Sequence, residues 1–166
     1  MVILGIDPGY AIVGWGIVRY EANRFKTLDF GAVTTLAGMH FSDRLEKIYD
    51  SIDYLLDTYK PDALSIEKLF FNTNQKTAID VAQARGVILL AAKKAGVEIF
   101  EYTPLQVKQS VVGYGRAEKK QVQEMTRIIL NLNAVPKPDD TADALALAIC
   151  HGHASGSSLG RLLQNR

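Results

Sequence analysis

The hydrophobic pattern changes period near residue 40, and that change restricts the fold more than any other feature. Before it, apolar residues come in short runs separated by turn residues; after it, stretches at helical spacing alternate with short strand-like runs. Val2-Ile3-Leu4-Gly5-Ile6-Asp7 is an apolar run closed by Pro8-Gly9, as expected of a buried strand ending in a turn. Gly14 to Tyr20 and Phe25 to about Thr35 are two more β-rich runs, with Glu21-Ala22-Asn23-Arg24 as the hairpin turn between them. Three strands joined by short turns predict an antiparallel meander.

Beyond the change, Phe41, Leu45, Ile48, Ile52, Leu55, Leu56 and Tyr59 predict a helix, with Ser42 or Asp43 as N-cap and Lys60-Pro61 as its stop. Ala63 to Glu67 reads as a short strand. A second helix is expected from about Gln75 to Ala95, closed by Gly96, followed by a strand at Val97 to Phe100. Thr103-Pro104-Leu105-Gln106 combines an N-cap, a first-turn proline and a Gln three residues on, so a third helix begins there and Gly113 and Gly115 break it. A fourth helix spans about Ala117 to Leu130. Asn133 to Pro138 is a linker, and Asp139 or Asp140 caps a last helix running through Ala148 or beyond. The Ser/Gly-rich residues 155–166 are expected to form a flexible tail on a single domain of residues 1–154. The order βββαβαβ predicts an α/β fold. Its sheet has five strands and is mixed, with a three-strand antiparallel meander plus two parallel strands, flanked by helices.

Composition excludes several classes. At 48% hydrophobic and 22% charged, the chain matches a globular protein. Its single cysteine, Cys150, cannot form an intramolecular disulfide and points to a reducing cytoplasm. No apolar run approaches the roughly 18 residues of a membrane helix, and the N-terminus lacks the basic region of a secretory signal. A net charge of +1 argues, on average, against a nucleic-acid binder. The average hides an asymmetry: residues 1–67 carry −4, residues 68–137 carry +6, and residues 138–166 carry −1. A basic middle third marks where a polyanion can sit, although solvated surface lysines would give the same count.

The first and fourth strands should be parallel neighbours, ending in Asp7 and Glu67. By strand alternation Asp7 shares a face with Gly5 and Ile3, and Glu67 with Ser65 and Ala63, while Leu4, Ile6, Leu64 and Ile66 face the other way. Mostly small neighbours leave room for another element beside the acids. The alanine-rich last helix fits, and it carries Asp140 and Asp143 three apart on one face. Acids in a first helical turn also serve the helix dipole, so that pair alone proves little. Strand-end carboxylates are harder to dismiss, because buried acids are normally paired or metal-bound. Four converging acids would repel one another, and divalent cations relieve this; Mg²⁺ or Mn²⁺ suits such oxygen donors, and two ions can support phosphodiester hydrolysis. No His and Cys stand at zinc spacing, and no phosphate loop is present.

Gly5-Ile6-Asp7-Pro8-Gly9, Ile66-Glu67, Gln83-Ala84-Arg85-Gly86, Gln106-Val107-Lys108-Gln109 and Asp140-Thr141-Ala142-Asp143-Ala144-Leu145-Ala146 occur in one order. Taken together they resemble the RuvC-type Holliday-junction resolvases, over about residues 2–153. The resemblance implies a ribonuclease-H-like fold, a homodimer, and Mg²⁺-dependent symmetrical nicking of four-way junction DNA in recombination and repair. It also implies a branch-migration motor complex as a partner. Motif by motif, it makes Asp7, Glu67, Asp140 and Asp143 the catalytic, metal-holding acids, with Asp139 beside Asp140 as a source of misassignment.

Among the basic and aromatic residues, the resemblance puts Phe70 at the position that stacks or wedges at the junction, with anchoring of Phe70 and Phe71 to the core or a dimer partner as the alternative. In the same resemblance Lys108 and Lys119 fall at positions associated with DNA contact or catalysis, and Arg116 and Lys120, beside a helix start, are further candidates. Lys93 and Lys94 are assigned to a helix C-terminus, and Arg85 to pairing with an acid. Discounting the four proposed ligands takes the net charge from +1 to +5.

Two rival readings stand beside this one. A junction-binding protein without catalysis would have no need of all four acids. A phosphotransferase of the actin and sugar-kinase superfamily shares an Asp-x-Gly turn after its first strand, but it generally needs two related domains, more than 166 residues hold.

Overall fold

The computed structural model describes residues 1–69 and 75–156. Val2–Asp7 (β1) pairs antiparallel with Ile12–Glu21 (β2), which pairs antiparallel with Arg24–Thr34 (β3). The β2–β3 turn is a two-residue connection: Glu21 pairs with Arg24, and Ala22 and Asn23 both take positive φ, 48° and 59°. Such primed turns match the right-handed twist of the strands. Phe41–Tyr59 (α1) then crosses to Ala63–Glu67 (β4), parallel to β1, and Gln75–Lys94 (α2) crosses to Glu98–Tyr102 (β5), parallel to β4. The sheet order is β3-β2-β1-β4-β5, the mixed sheet expected from the sequence. Pro104–Val112 (α3), Lys119–Ile129 (α4) and Asp139–Gly156 (α5) complete the chain.

The sheet is covered on both faces. Leu4, Ile6, Leu64 and Ile66 pack on Ile48, Ile52, Leu55 and Leu56 of α1 and on Ala84, Ile88, Ala91 and Ala92 of α2. Ile3 and Val18 point the other way, against Leu145, Ala146, Ala148 and Ile149 of α5, with Val111, Val122 and Leu130 beyond. Burying each large aliphatic side chain of these clusters contributes about 1.5–3 kcal/mol.

The approach of α5 to the sheet is the contact that builds the site. A Cβ on Gly5 would overlap the Ala144 carbonyl oxygen, and one on Gly14 the Asp140 carbonyl oxygen, so both strands meet the helix backbone directly. Ser65, fully buried, donates its hydroxyl to the Leu147 carbonyl at 2.7 Å.

Several element ends differ from the sequence reading. Helix α1 is preceded by His40, not capped by Ser42 or Asp43, and its first residue Phe41 packs its ring 6.2 Å from that of Tyr10. Strand β5 is Glu98–Tyr102, shifted C-terminally from Val97–Phe100, because the parallel ladder carries on until Glu67 meets Tyr102. Helix α4 starts at Lys119, after the Glu118 backbone N–H donates to Gln121 Oε1 at 2.8 Å. Helix α5 runs Asp139–Gly156, in keeping with the expected helix through Ala148 or beyond. The capping box at Thr103 and the left-handed Gly113, φ 92°, that ends α3 are as expected.

Candidate active site

Asp7 and Glu67 end neighbouring parallel strands, one residue beyond the paired Ile6 and Ile66. The first turns of α5 bring Asp140 and Asp143 onto the same strand ends, because Gly14 and Gly5 admit the helix backbone. The electrostatic outcome is mutual. Burial first, then Asp143, Glu67 and Asp140, push Asp7 up to about 8, and Lys119 opposes them. Glu67 is raised by burial and by Asp143. Asp143 is raised chiefly by burial, which outweighs its bond to Lys119. The lysine in turn is raised by that bond, with Nζ 2.8 Å from Asp143 Oδ2.

Asp139 stands at the edge of this set, 3.9 Å from Lys119 Nζ. It bonds Lys137 at 2.6 Å, is partly exposed and is held below the usual carboxylate range by that partner. Of the two adjacent aspartates, Asp140 bears on Asp7, while the closest ion-pair partner of Asp139 is Lys137.

Beside the acids lies a cleft with about 210 Å³ of water-accessible space, lined by Glu67, Lys108, Lys119 and Asp143 with an apolar floor of Val107, Val122 and Leu147. Lys108 and Lys119 thus both line this cleft, and Lys119 pairs with Asp143. Lys120 does not: it lines a separate groove with Tyr114, Met125 and Ile128. Arg116 is exposed and lines neither. Phe70 lies outside the described residues.

Two features add detail beyond the sequence. Arg85 donates from Nε to the Glu67 carbonyl at 3.3 Å while its guanidinium pairs with Glu101, so the expected acid is identified and a second contact is added. His151 is fully buried, stacked 4.2 Å from Phe100, with Nδ1 2.7 Å from the Tyr102 hydroxyl, and burial lowers it to about 4. It is a neutral core histidine, in line with its unremarkable position in the sequence. The signal for Gly14 was present in Gly14-Trp15-Gly16, two glycines on one strand face.

Among the described residues no three His, Cys, Asp or Glu side chains already stand as a metal cage. The donor set nonetheless fits a hard divalent cation. Three part-buried carboxylates raise their own proton affinities, and one ammonium neutralises only part of that charge. No described helix is long and apolar enough to cross a membrane.

The sheet order, the parallel β1–β4 pair and the helix laid across it place the chain in the ribonuclease-H-like class. Residues 3–151 match the family described as crossover junction endodeoxyribonuclease RuvC. The chain belongs to that family. The crossover junction endodeoxyribonuclease RuvC of Ruminiclostridium cellulolyticum is 63% identical over 162 residues, 96% of this chain and 98% of the relative. Thermus thermophilus RuvC superposes with a TM-score of 0.87 at 37% identity, over 93% of this chain and 95% of that one. Thermus thermophilus RuvC in complex with Holliday junction substrate gives 0.86 at 34% identity over the same shares.

Proposed function

We propose that this chain resolves Holliday junctions as a structure-selective, Mg²⁺-dependent endonuclease that places paired symmetrical nicks in recombination and repair. The convergence of Asp7, Glu67 and Asp143, each raised by burial and by at least one other acid of the set, carries the reading. Asp7, Glu67, Asp140 and Asp143 would hold two Mg²⁺ ions, with Mn²⁺ as a substitute. Such ions supply positive charge to the phosphoryl oxygens and lower the pKa of the attacking water.

The chain's own groups do the rest. Lys119 holds Asp143 in place through its ammonium and offers that charge to a phosphate entering the cleft. Lys108 stands on the same cleft wall as a second phosphate contact. Exposed Arg116 and Lys120 extend the basic surface outside it, and Phe70 is assigned to stacking at the junction.

One chain carries one set of acids, so two symmetrical cuts require two copies, and the working form is a homodimer. The family resemblance adds a branch-migration motor complex as partner. The one cysteine, free and buried, supports a cytoplasmic setting for this single nuclease domain of residues 1–154. A synthetic four-way junction incubated with Mg²⁺ tests the proposal: paired nicks are expected, and comparable cleavage of linear duplex would remove the structure selectivity.

A further inference from the structure

Glu67 is the last residue of β4, where a strand normally frays, and only the Lys68 N–H to Tyr102 carbonyl bond, 2.8 Å, extends the ladder past it. Helix α2 returns to this end. Its Ala84 and Ile88 are fully buried against the sheet, so the helix is fixed and Arg85 emerges from a rigid base. The Arg85 side chain is 13% exposed; it reaches the Glu67 carbonyl from Nε and Glu101 of β5 from its terminal nitrogen. Glu101 is the register partner of Ile66, so one guanidinium spans the ends of two strands from a third element. A planar five-donor fork makes both contacts from rigidly spaced nitrogens; an ammonium offers its donors from one atom on a flexible stem.

We propose that Arg85 is a positioning residue: anchored on Glu101, it holds the Glu67 backbone and so sets where the Glu67 carboxylate stands in the cleft. It touches the carbonyl and not the carboxylate. Its effect is therefore one of placement, and a displacement of about 1 Å at such a site can cost about 100-fold in rate. The inference rests on the nuclease reading of the acids given above.

Arg85→Gln, Arg85→Lys and Glu101→Gln test it, read by single-turnover junction cleavage at saturating protein, by junction affinity without divalent ions, and by Mn²⁺ binding to the DNA-free protein followed by electron paramagnetic resonance. Expected for Arg85→Gln is a fall in rate of about tenfold or more. Mn²⁺ affinity should weaken in step, and junction affinity should stay near that of the parent. Arg85→Lys should fall with it, since charge without the fork does not restore the geometry. Parent-like rate and Mn²⁺ binding, full rescue by lysine, or lost junction affinity with an unchanged saturated rate would each overturn the proposal. Should Arg85→Gln not fold, Glu101→Gln on the more exposed side decides: a smaller loss of the same sign in both rate and Mn²⁺ binding is expected, and parent-like values overturn it. If the parent itself cleaves no junction, the nuclease reading fails, and the Mn²⁺ titration still decides the role of Arg85.

Discussion

Lys119 Nζ stands 2.8 Å from Asp143 Oδ2, and this ammonium opposes the rise in proton affinity of Asp7, Glu67 and Asp143 alike. One exposed-side lysine therefore tunes three part-buried acids. Lys119→Met removes that opposition, so all three acids should bind protons more tightly. At sub-saturating Mg²⁺ the acid limb of the pH–rate profile is expected to move to higher pH. Folding stability should change by no more than about 1 kcal/mol, because the lysine is mostly solvated. A pH–rate series with parallel urea unfolding checks both.

Asp7 gives a stability dependence of unusual sign. Its folded pKa, about 8, exceeds its unfolded value, so between roughly pH 4 and 8 the native state holds the proton that the unfolded chain has lost. Without divalent ions, stability from this group is present at low pH and fades as pH rises through that window. Asp7→Asn, which cannot ionise, should be more stable than the parent at pH 8 by up to about 5 kcal/mol, and the gap should narrow steadily as pH falls and close near pH 4. Urea unfolding in a chelator at three pH values measures it.

Much of this site was readable because its determinants are local. An apolar run ending in Asp7 before Pro8-Gly9, and another ending in Glu67, locate two acids at strand ends. Gly5 and Ser65 on the same face announced that a helix would come close, and it does. What could not be read depends on helix phase and on distant partners. Lys119 and Lys120 are neighbours in sequence, yet about 100° of helical rotation sends one to the cleft and the other to a separate groove. The start of α1 was misplaced, and Phe41 there packs against Tyr10, a contact no local cap rule contains. The partner of Arg85 likewise required knowing where β5 ends.

Gly5→Ala tests whether the helix approach is what assembles the acids. The added Cβ overlaps the Ala144 carbonyl, which is backbone and cannot turn aside. Loss of about 1–3 kcal/mol of stability is expected. Cleavage should fall by far more than the unfolded fraction explains, since Asp143 moves with its neighbour Ala144. Thermal unfolding compared with cleavage at a temperature where the variant is folded separates the two effects.

The buried Tyr102–His151 pair should affect stability alone. Tyr102→Phe leaves His151 Nδ1 without its partner and should cost about 1–3 kcal/mol. His151 folds with its pKa lowered to about 4, so its contribution is present above its unfolded pKa and is lost as pH falls from roughly 6.5 toward 4. The parent should therefore lose stability across that interval, and His151→Gln should remove this part of the slope. Cleavage by Tyr102→Phe at neutral pH, measured where it remains folded, should match the parent.

The most direct measurement is cleavage of a synthetic four-way junction by the parent and by Asp7→Asn, Glu67→Gln, Asp140→Asn and Asp143→Asn, with Mg²⁺ varied and junction affinity measured separately. The parent should introduce paired nicks only when the divalent ion is present. Each variant should retain junction binding and lose at least about 100-fold in rate, roughly 2.7 kcal/mol of transition-state stabilisation. A parent that binds the junction and leaves it uncut across Mg²⁺ and Mn²⁺, or acid variants that cut at the parent rate, would contradict the carboxylate site as the seat of catalysis.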